Sequence, residues 1–431
     1  MTVLLYVLGV LVIVVGLAIS IALHECGHML PAKRFGVRVP QFFVGFGKTL
    51  WSTKRGDTEY GVKAFPLGGF VKLVGMLPPS DPSTPAKDST FGRLISDARA
   101  AEAELVRPGD EHRMFYRLPW WKKVIVMAGG PTVNLVIAFF LFGAVFWFHG
   151  VSETTTKVAT IPDCVVAVLP DKPAPKCTTS DPVAPSKLAG MKVGDEIVGF
   201  NGTRITSYDQ LQKLIRATPE QKVAIDVIRD GERLTLTATT LLNTVPTSGD
   251  STKTVDVGYL GISPLAENVS KGPIFTLQQM GDYTGQTVQA LGQLPQKLWG
   301  VAKAVVGQQD RDPESPQSVL GVSRFAGEVT SDDRLDAGTR VTLLVSILAS
   351  VNLFVGMFNF VPLLPLDGGH IAGALYEAVR RGFARLFGRR DPGHFDVAKL
   401  LPVTYVVAGL LLLMTALLVV ADLIVPVNTG L

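Results

Sequence analysis

Charge is scarce in this chain: Asp, Glu, Lys and Arg make up 18% of its 431 residues, against 47% hydrophobic, and mean hydropathy is +0.31. That balance is too apolar for an ordinary soluble enzyme and normal for a protein with several segments in lipid. The formal net charge of +4 is small and scattered. With no stretch that interleaves aromatic and basic residues, nucleic acid is excluded as the partner. Nor is there a strong internal repeat. Four runs lack charge altogether: Thr2 to Leu23, Val124 to Phe148, Val341 to Leu366 and Leu401 to Ala421. Each is long enough for the roughly 20 apolar residues that a membrane span requires. The first also lacks the basic n-region of a signal peptide, and cleavage near Ala22 would sever it from the HECGH that follows, so it is expected to stay as a span.

The basic residues that flank these runs set an orientation. Lys33, Arg34 and Arg38 follow the first, Lys122 and Lys123 precede the second, and Arg380, Arg381, Arg385, Arg389 and Arg390 separate the third from the fourth. Those sides are expected to be cytoplasmic, which puts both termini and the segment from about His149 to Arg340 outside. Cys164 and Cys177 then lie on the oxidising side and are candidates for a disulfide, while Cys26 stands alone in the membrane.

The expected organisation is spans at 1–30, 119–149, 339–370 and 400–425, a cytoplasmic region at 31–118, an outer domain at 150–265, a helical connector at 266–338 and a cytoplasmic loop at 371–399. Within the cytoplasmic region TEYGVKAFPLGGFVKLVGM, residues 58–76, alternates apolar residues around Gly68 and Gly69 and reads as a β-hairpin or loop at the membrane face. Leu77 to Glu111 is rich in Pro, Ser and charge and reads as a mobile loop. In the outer domain short β-type runs surround KLAGMKVGDEIVGFNGTRI. This passage resembles the PDZ signature, a Gly-Asp turn before a buried strand and an Asn-Gly turn after it.

His24-Glu25-Cys26-Gly27-His28 carries the sharpest chemical signal, in a chain with only 6 histidines. On a helix His24 and His28 project from one face and can share Zn²⁺, with Glu25 placed to take a proton from water activated there. A catalytic zinc normally takes three protein ligands. Asp367, the first acidic residue after the third uncharged run, is one candidate for the third, and His370 is another. Asn352 and Asn359 share a face of that run, where each is either an interhelical contact or a group that handles substrate. Pro362 and Pro365 are expected to break the helix where Asp367 must turn toward the metal. Asn134, in AGGPTVN at the start of the second run, reads mainly as a packing residue.

An HExxH motif in the first span, GPxxN opening the second, a PDZ-like insertion and NxxPxxPLDGG closing the third resemble, in that order, the site-2 protease (M50 metallopeptidase) family of intramembrane metalloproteases. The similarity is greatest to its bacterial branch, the regulator-of-sigma-E protease type, and covers nearly the whole chain. It implies a polytopic α-helical membrane protein with four transmembrane helices, a membrane-associated β-loop and an inserted extracytoplasmic PDZ-like α+β domain, in a bacterial inner membrane. It also implies His24, His28 and Asp367 as zinc ligands, in preference to His370, with Glu25 as general base and Asn359 beside the metal. By the same resemblance AFPLGGFVK, containing Gly68 and Phe70, engages extended substrate by strand addition. Asn352 lies farther from Asp367 than the family's second asparagine does and stays outside that set. The implied substrates are single-span membrane proteins such as anti-sigma factors, already trimmed by another protease. The rival readings are a catalytically silent PDZ scaffold, which needs no metal ligands, and a metal transporter or sensor, which needs no base at Glu25.

Overall fold

Helix α1 (Thr2–Arg34) has 33 residues, so at 1.5 Å per residue it runs about 50 Å, longer than the hydrocarbon core of a bilayer. In the computed structural model, which describes residues 2–79, 90–166, 177–178, 180–247 and 250–427, α1 opens the first of two units. That unit comprises Met1–Phe148 and Gly272–Leu431, and the second is His149–Lys271.

After α1 come β1 (Gln41–Arg55) and β2 (Thr58–Lys72), paired as a long hairpin. The passage that reads as a hairpin by itself is in fact one long strand, and its partner is β1, whose QFFVGFGK run carries no strand signal of its own strong enough to stand out. The hairpin folds back on itself. Gln41–Val44 is partnered by Glu59–Val62 on one side and by Gly69–Lys72 on the other, and no further strand flanks Gly69–Lys72 among the described residues. A Cβ added to Gly69 would lie 2.9 Å from Ile21 and 3.3 Å from Glu25 Cγ, so this edge lies directly against α1.

The expected loop at Leu77 to Glu111 contains a helix, α2 (Thr90–Ala103), with residues 80–89 outside the described residues. The Ala-rich stretch ARAAEA favours helix, and the Glu102 carboxylate docks it by accepting the amides of Gly75 at 2.7 Å and Met76 at 3.0 Å. Helix α3 (Trp120–Ala144) follows and crosses α1 at glycine: a Cβ on Gly27 would meet Gly129 O at 2.5 Å and Gly130 Cα at 2.9 Å. Only hydrogen at both positions lets the two backbones touch.

The second unit is built from β3 (Val151–Thr160), α4 (Pro185–Leu188), β4 (Glu196–Phe200), β5 (Thr203–Arg204), α5 (Tyr208–Arg216), β6 (Lys222–Arg229), β7 (Glu232–Thr239), β8 (Leu241–Thr247), β9 (Asp250–Tyr259) and β10 (Ser263–Val269). One sheet runs β10-β3-β4-β6-β7 with β5 on β4, and β8 and β9 form a separate hairpin. Phe200, Ile197, Ile225, Val227, Leu211 and Leu260 fill its core. Burial of each such side chain stabilises the unit by about 1.5–3 kcal/mol. Asn201 and Gly202 both adopt positive φ (47° and 76°), as a two-residue turn between β4 and β5 requires. Cys164 and Cys177 are joined by a disulfide.

The chain re-enters the first unit through α6 (Pro273–Gly292), α7 (Leu294–Val305) and α8 (Val319–Ser331). Ala326 of α8 packs with Ile13 and Leu17 of α1. Helix α9 (Ala337–Asn359) starts at Asp336, which accepts the amides of Gly338 at 2.8 Å and Thr339 at 3.2 Å. It ends at Asn359, not at 370 as expected, because the chain then runs into Pro362 and Pro365, which supply no amide to continue it. Asp367 instead opens a new helix, α10 (Asp367–Leu386), which occupies most of the segment expected as a loop at 371–399. Helix α11 (Leu401–Ile424) completes, among the described residues, four helices long and apolar enough to cross a membrane.

Asp195 in the second unit is 1% exposed and accepts Arg229 Nε and Nη2 at 2.8 Å each and the Lys192 amide at 2.8 Å. Burial opposes its ionisation, but the Arg229 and Lys192 hydrogen bonds prevail and hold its carboxyl below the usual carboxylate range. A depressed pKa stabilises the fold above the unfolded-state value of about 3.9, and the contribution is lost as pH falls through the folded value. Asp195→Ala is expected to destabilise this unit by about 1–3 kcal/mol at neutral pH, since the Arg229 left behind is partly exposed to water. Limited proteolysis of the full-length protein should show selective nicking within 149–271, and the difference from wild type should shrink below about pH 4.

Candidate metal centre

The metal-binding pattern anticipated from HECGH depends on α1 presenting two side chains one turn apart, and it does. His24 Nε2 and His28 Nε2 lie 3.2 Å apart, and Asp367 Oδ2, from the first residue of α10, lies 3.4 Å from the former and 3.3 Å from the latter. Among the described residues this is the one group of three or more His, Cys, Asp or Glu side chains whose ligand atoms converge. A point equidistant from three atoms so spaced is about 1.9 Å from each, their mean separation divided by √3, close to the 2.0–2.2 Å of zinc–nitrogen and zinc–oxygen bonds.

The tautomer supports the same conclusion. His28 Nδ1 lies 2.8 Å from Val126 O of α3, and as donor to that carbonyl it leaves Nε2 of the neutral ring with a lone pair. His24 Nδ1 is buried without a protein partner; with its proton there, both Nε2 lone pairs and the Asp367 carboxylate face one common point, a donor set suited to a cation. Gly130 forms one wall, for an added Cβ would lie 2.7 Å from His24 Nε2 and closer still to His28 Nε2. The residues fit zinc.

Around the triad is a cavity of about 600 Å³ whose lining includes Glu25, Asn359, Gly68 and Phe70, all singled out from sequence. Glu25 receives a backbone hydrogen bond from Val71, which ties the residue next to His24 to the free edge of β2. His370 also lines the cavity, but its nitrogens are outside the converging set, so the helix turn that follows Asp367 turns the rival ligand away. Cys164 and Cys177 belong to the second unit and take no part.

Three further polar residues line the cavity: Ser20, which sequence reasoning missed, Asn134, which it reads mainly as a packing residue, and Asn352, which it leaves open between interhelical contact and substrate handling and outside the set that the resemblance implies. Asn352 Nδ2 donates to Ser20 Oγ at 3.1 Å and to Leu348 O at 2.8 Å, while its Oδ1 and the Oδ1 of Asn134 are buried without a protein partner. The signal that could have found Ser20 is periodicity, for it is one turn before His24 on α1.

Comparison with known proteins agrees with this chemistry. The sequence profile of Peptidase family M50 matches residues 12–389. The chain is 35% identical over 435 residues to zinc metalloprotease Rip1 of Mycobacterium tuberculosis, covering 98% of this chain and 99% of that one. It is 33% identical over 438 residues to zinc metalloprotease Rip1 of Mycolicibacterium smegmatis, with 98% of each covered. With metalloprotease MmpA of Caulobacter vibrioides it shares 26% identity over 376 residues, 85% of each chain. The chain therefore belongs to peptidase family M50 and is a membrane zinc metalloprotease of the site-2 type.

Proposed function

We propose that this enzyme cuts single-span membrane proteins, anti-sigma factors among them, at a site reached from within the bilayer. His24, His28 and Asp367 hold the zinc and Glu25 is the general base. The observation that carries this reading is the position of the triad: it opens into a cavity lined by α1, α3 and α9, helices apolar enough to span a membrane, and by the unpaired edge of β2.

Zinc bound there supplies a Lewis acid that acidifies water and polarises a peptide carbonyl. Glu25, adjacent to His24 on α1, accepts the proton of the attacking water and later returns it to the leaving amine. Asn359 lines the same space and is suited to donate to the carbonyl oxygen as charge develops on it. A transmembrane helix presents no reactive carbonyl until it unwinds, and each backbone group freed inside the membrane needs a partner. The edge Gly69–Lys72 offers strand pairing to such a segment, with Gly68 and Phe70 at the cavity wall. The free Oδ1 atoms of Asn134 and Asn352 offer acceptors for its amides.

The basic residues at Lys33, Arg34 and Arg380 to Arg390 favour a cytoplasmic-side active site, which places residues 149–271 outside. With its buried β4 strand between a Gly194-Asp195 turn and an Asn201-Gly202 turn, that unit suits a PDZ-like role, admitting substrates only after another protease has trimmed their outer domains.

Glu25→Gln is expected to retain zinc and lose cleavage of a membrane-anchored reporter by a factor of at least about 100. His24→Ala should lose both, as read by metal analysis beside the cleavage assay. Full activity in Glu25→Gln would sink the mechanism. Gly130→Ala, which drives a methyl group into the ligand nitrogens, should weaken zinc retention against a chelator by roughly 10- to 100-fold.

A further inference from the structure

Glu377 is 0% exposed and sits on α10 about three turns past Asp367. Its carboxylate accepts Lys123 Nζ at 2.7 Å and the Phe395 amide at 3.1 Å, with Arg381 Nη1 and His394 Nδ1 each at 3.3 Å. His394 Nδ1 in turn lies 3.5 Å from Lys123 Nζ and 3.3 Å from Arg381 Nη2. Although burial disfavours the charge, hydrogen bonds from His394, Lys123 and the Phe395 amide draw the Glu377 carboxyl down to about 2, so it is ionised at working pH. Lys123 is itself only 6% exposed.

Each partner of this ion pair stands on a helix that serves the metal site. Lys123 is in the first turn of α3, the helix whose Val126 carbonyl orients His28 and whose Gly130 walls the ligand nitrogens. Glu377 is on α10, whose first residue is Asp367. Ile371 packs against the cluster that holds Val126 and Met127 of α3, and Gly373 and Tyr376 pack on Phe395, but these apolar contacts are non-directional, and the Lys123–Glu377 pair is the one ion pair between α10 and α3 among the described residues. Leu375, Tyr376, Val379 and Phe383 on its other face are 45–57% exposed within the chain, and the α9–α10 connection is a short turn of Phe360 to Leu366. A metal site tolerates ligand displacements of only about 0.2 Å. Stability alone is a weak reason for the pair, since apolar replacement of a buried ion pair is often neutral or stabilising.

We propose that the Lys123–Glu377 ion pair is a positioning strut that locks α10 against α3 and so sets Asp367 against His24 and His28. The Phe395 amide and Arg380, which donates to the carbonyls of Pro392 and Gly393 at 2.9 Å each, clamp the following loop over the pair and keep water from loosening it. Neither residue of the pair touches substrate.

The inference rests on the zinc reading of His24, His28 and Asp367, and full-length protein in detergent tests the two separately. Glu377→Gln and the neutral double variant Lys123→Met with Glu377→Gln are compared with wild type by zinc retention against a chelator, by the visible absorption of the protein loaded with cobalt(II), and by reporter cleavage. Both variants are expected to hold zinc at least about tenfold more weakly, to shift the cobalt bands that report ligand geometry, and to lower kcat with KM unchanged. The double variant removes both charges of the pair while Arg381 keeps Asp391 at 3.3 Å as its partner, so it decides the matter if the single variant does not fold. A double variant with a wild-type thermal midpoint, zinc retention and cobalt spectrum would overturn the strut. If His28→Ala still binds cobalt with the wild-type spectrum, the zinc reading fails instead.

Discussion

Two imidazoles and a carboxylate converge on one point, among helices apolar enough to cross a membrane, and burying three such groups together is costly unless something satisfies them. Much of the first unit can be understood as the means of holding that arrangement. Helix α1 supplies two of the three proposed ligands through simple helical periodicity. The third must come from a residue more than 300 positions away, so its placement depends wholly on packing. The break after Asn359 is part of this, because a continuous helix through Asp367 would not begin α10 beside His24 and His28.

Close approach of backbones is the second requirement. Gly27 against Gly129, and Gly130 against the ligand rings, remove side chains where α1 and α3 cross, so that the Val126 carbonyl of α3 reaches His28. Gly69 does the same between β2 and α1, and brings the strand edge and the Val71 amide to Glu25. The same small residues thus let the helices pack and put an extended-backbone docking edge within reach of the proposed base. Fold and proposed chemistry share one set of contacts.

Much of this is legible in the amino-acid sequence. The uncharged runs mark the four long apolar helices, and the i, i+4 histidines mark half of the metal centre because helical periodicity needs no tertiary information. Helix α10 is not legible in the same way, because its Gly- and Arg-rich sequence looks like a loop until Glu377 is seen to bond to Lys123, and the helix-favouring ARAAEA of α2 is masked by the Pro- and Ser-rich residues before it until Glu102 is seen to bond to Gly75 and Met76. The strand β1 is hidden because its apolar run gains its meaning from pairing on both sides with β2. Asn134 and Asn352 cannot be told from packing residues, since an unsatisfied oxygen is a property of the folded surroundings and not of the residue type.

What the sequence determined by itself was therefore local: which segments are apolar enough for lipid, where prolines must stop a helix, and that His24 and His28 share a face with Glu25 beside them. Composition and short-range periodicity set these directly. Only the tertiary structure decided that Asp367 rather than His370 completes the converging donors, that the free edge of β2 lies against Glu25, and that a buried ion pair ties α10 to α3. Each of these depends on how far apart segments meet, and a distance between helices is set by the side chains of both, which no stretch of either sequence contains.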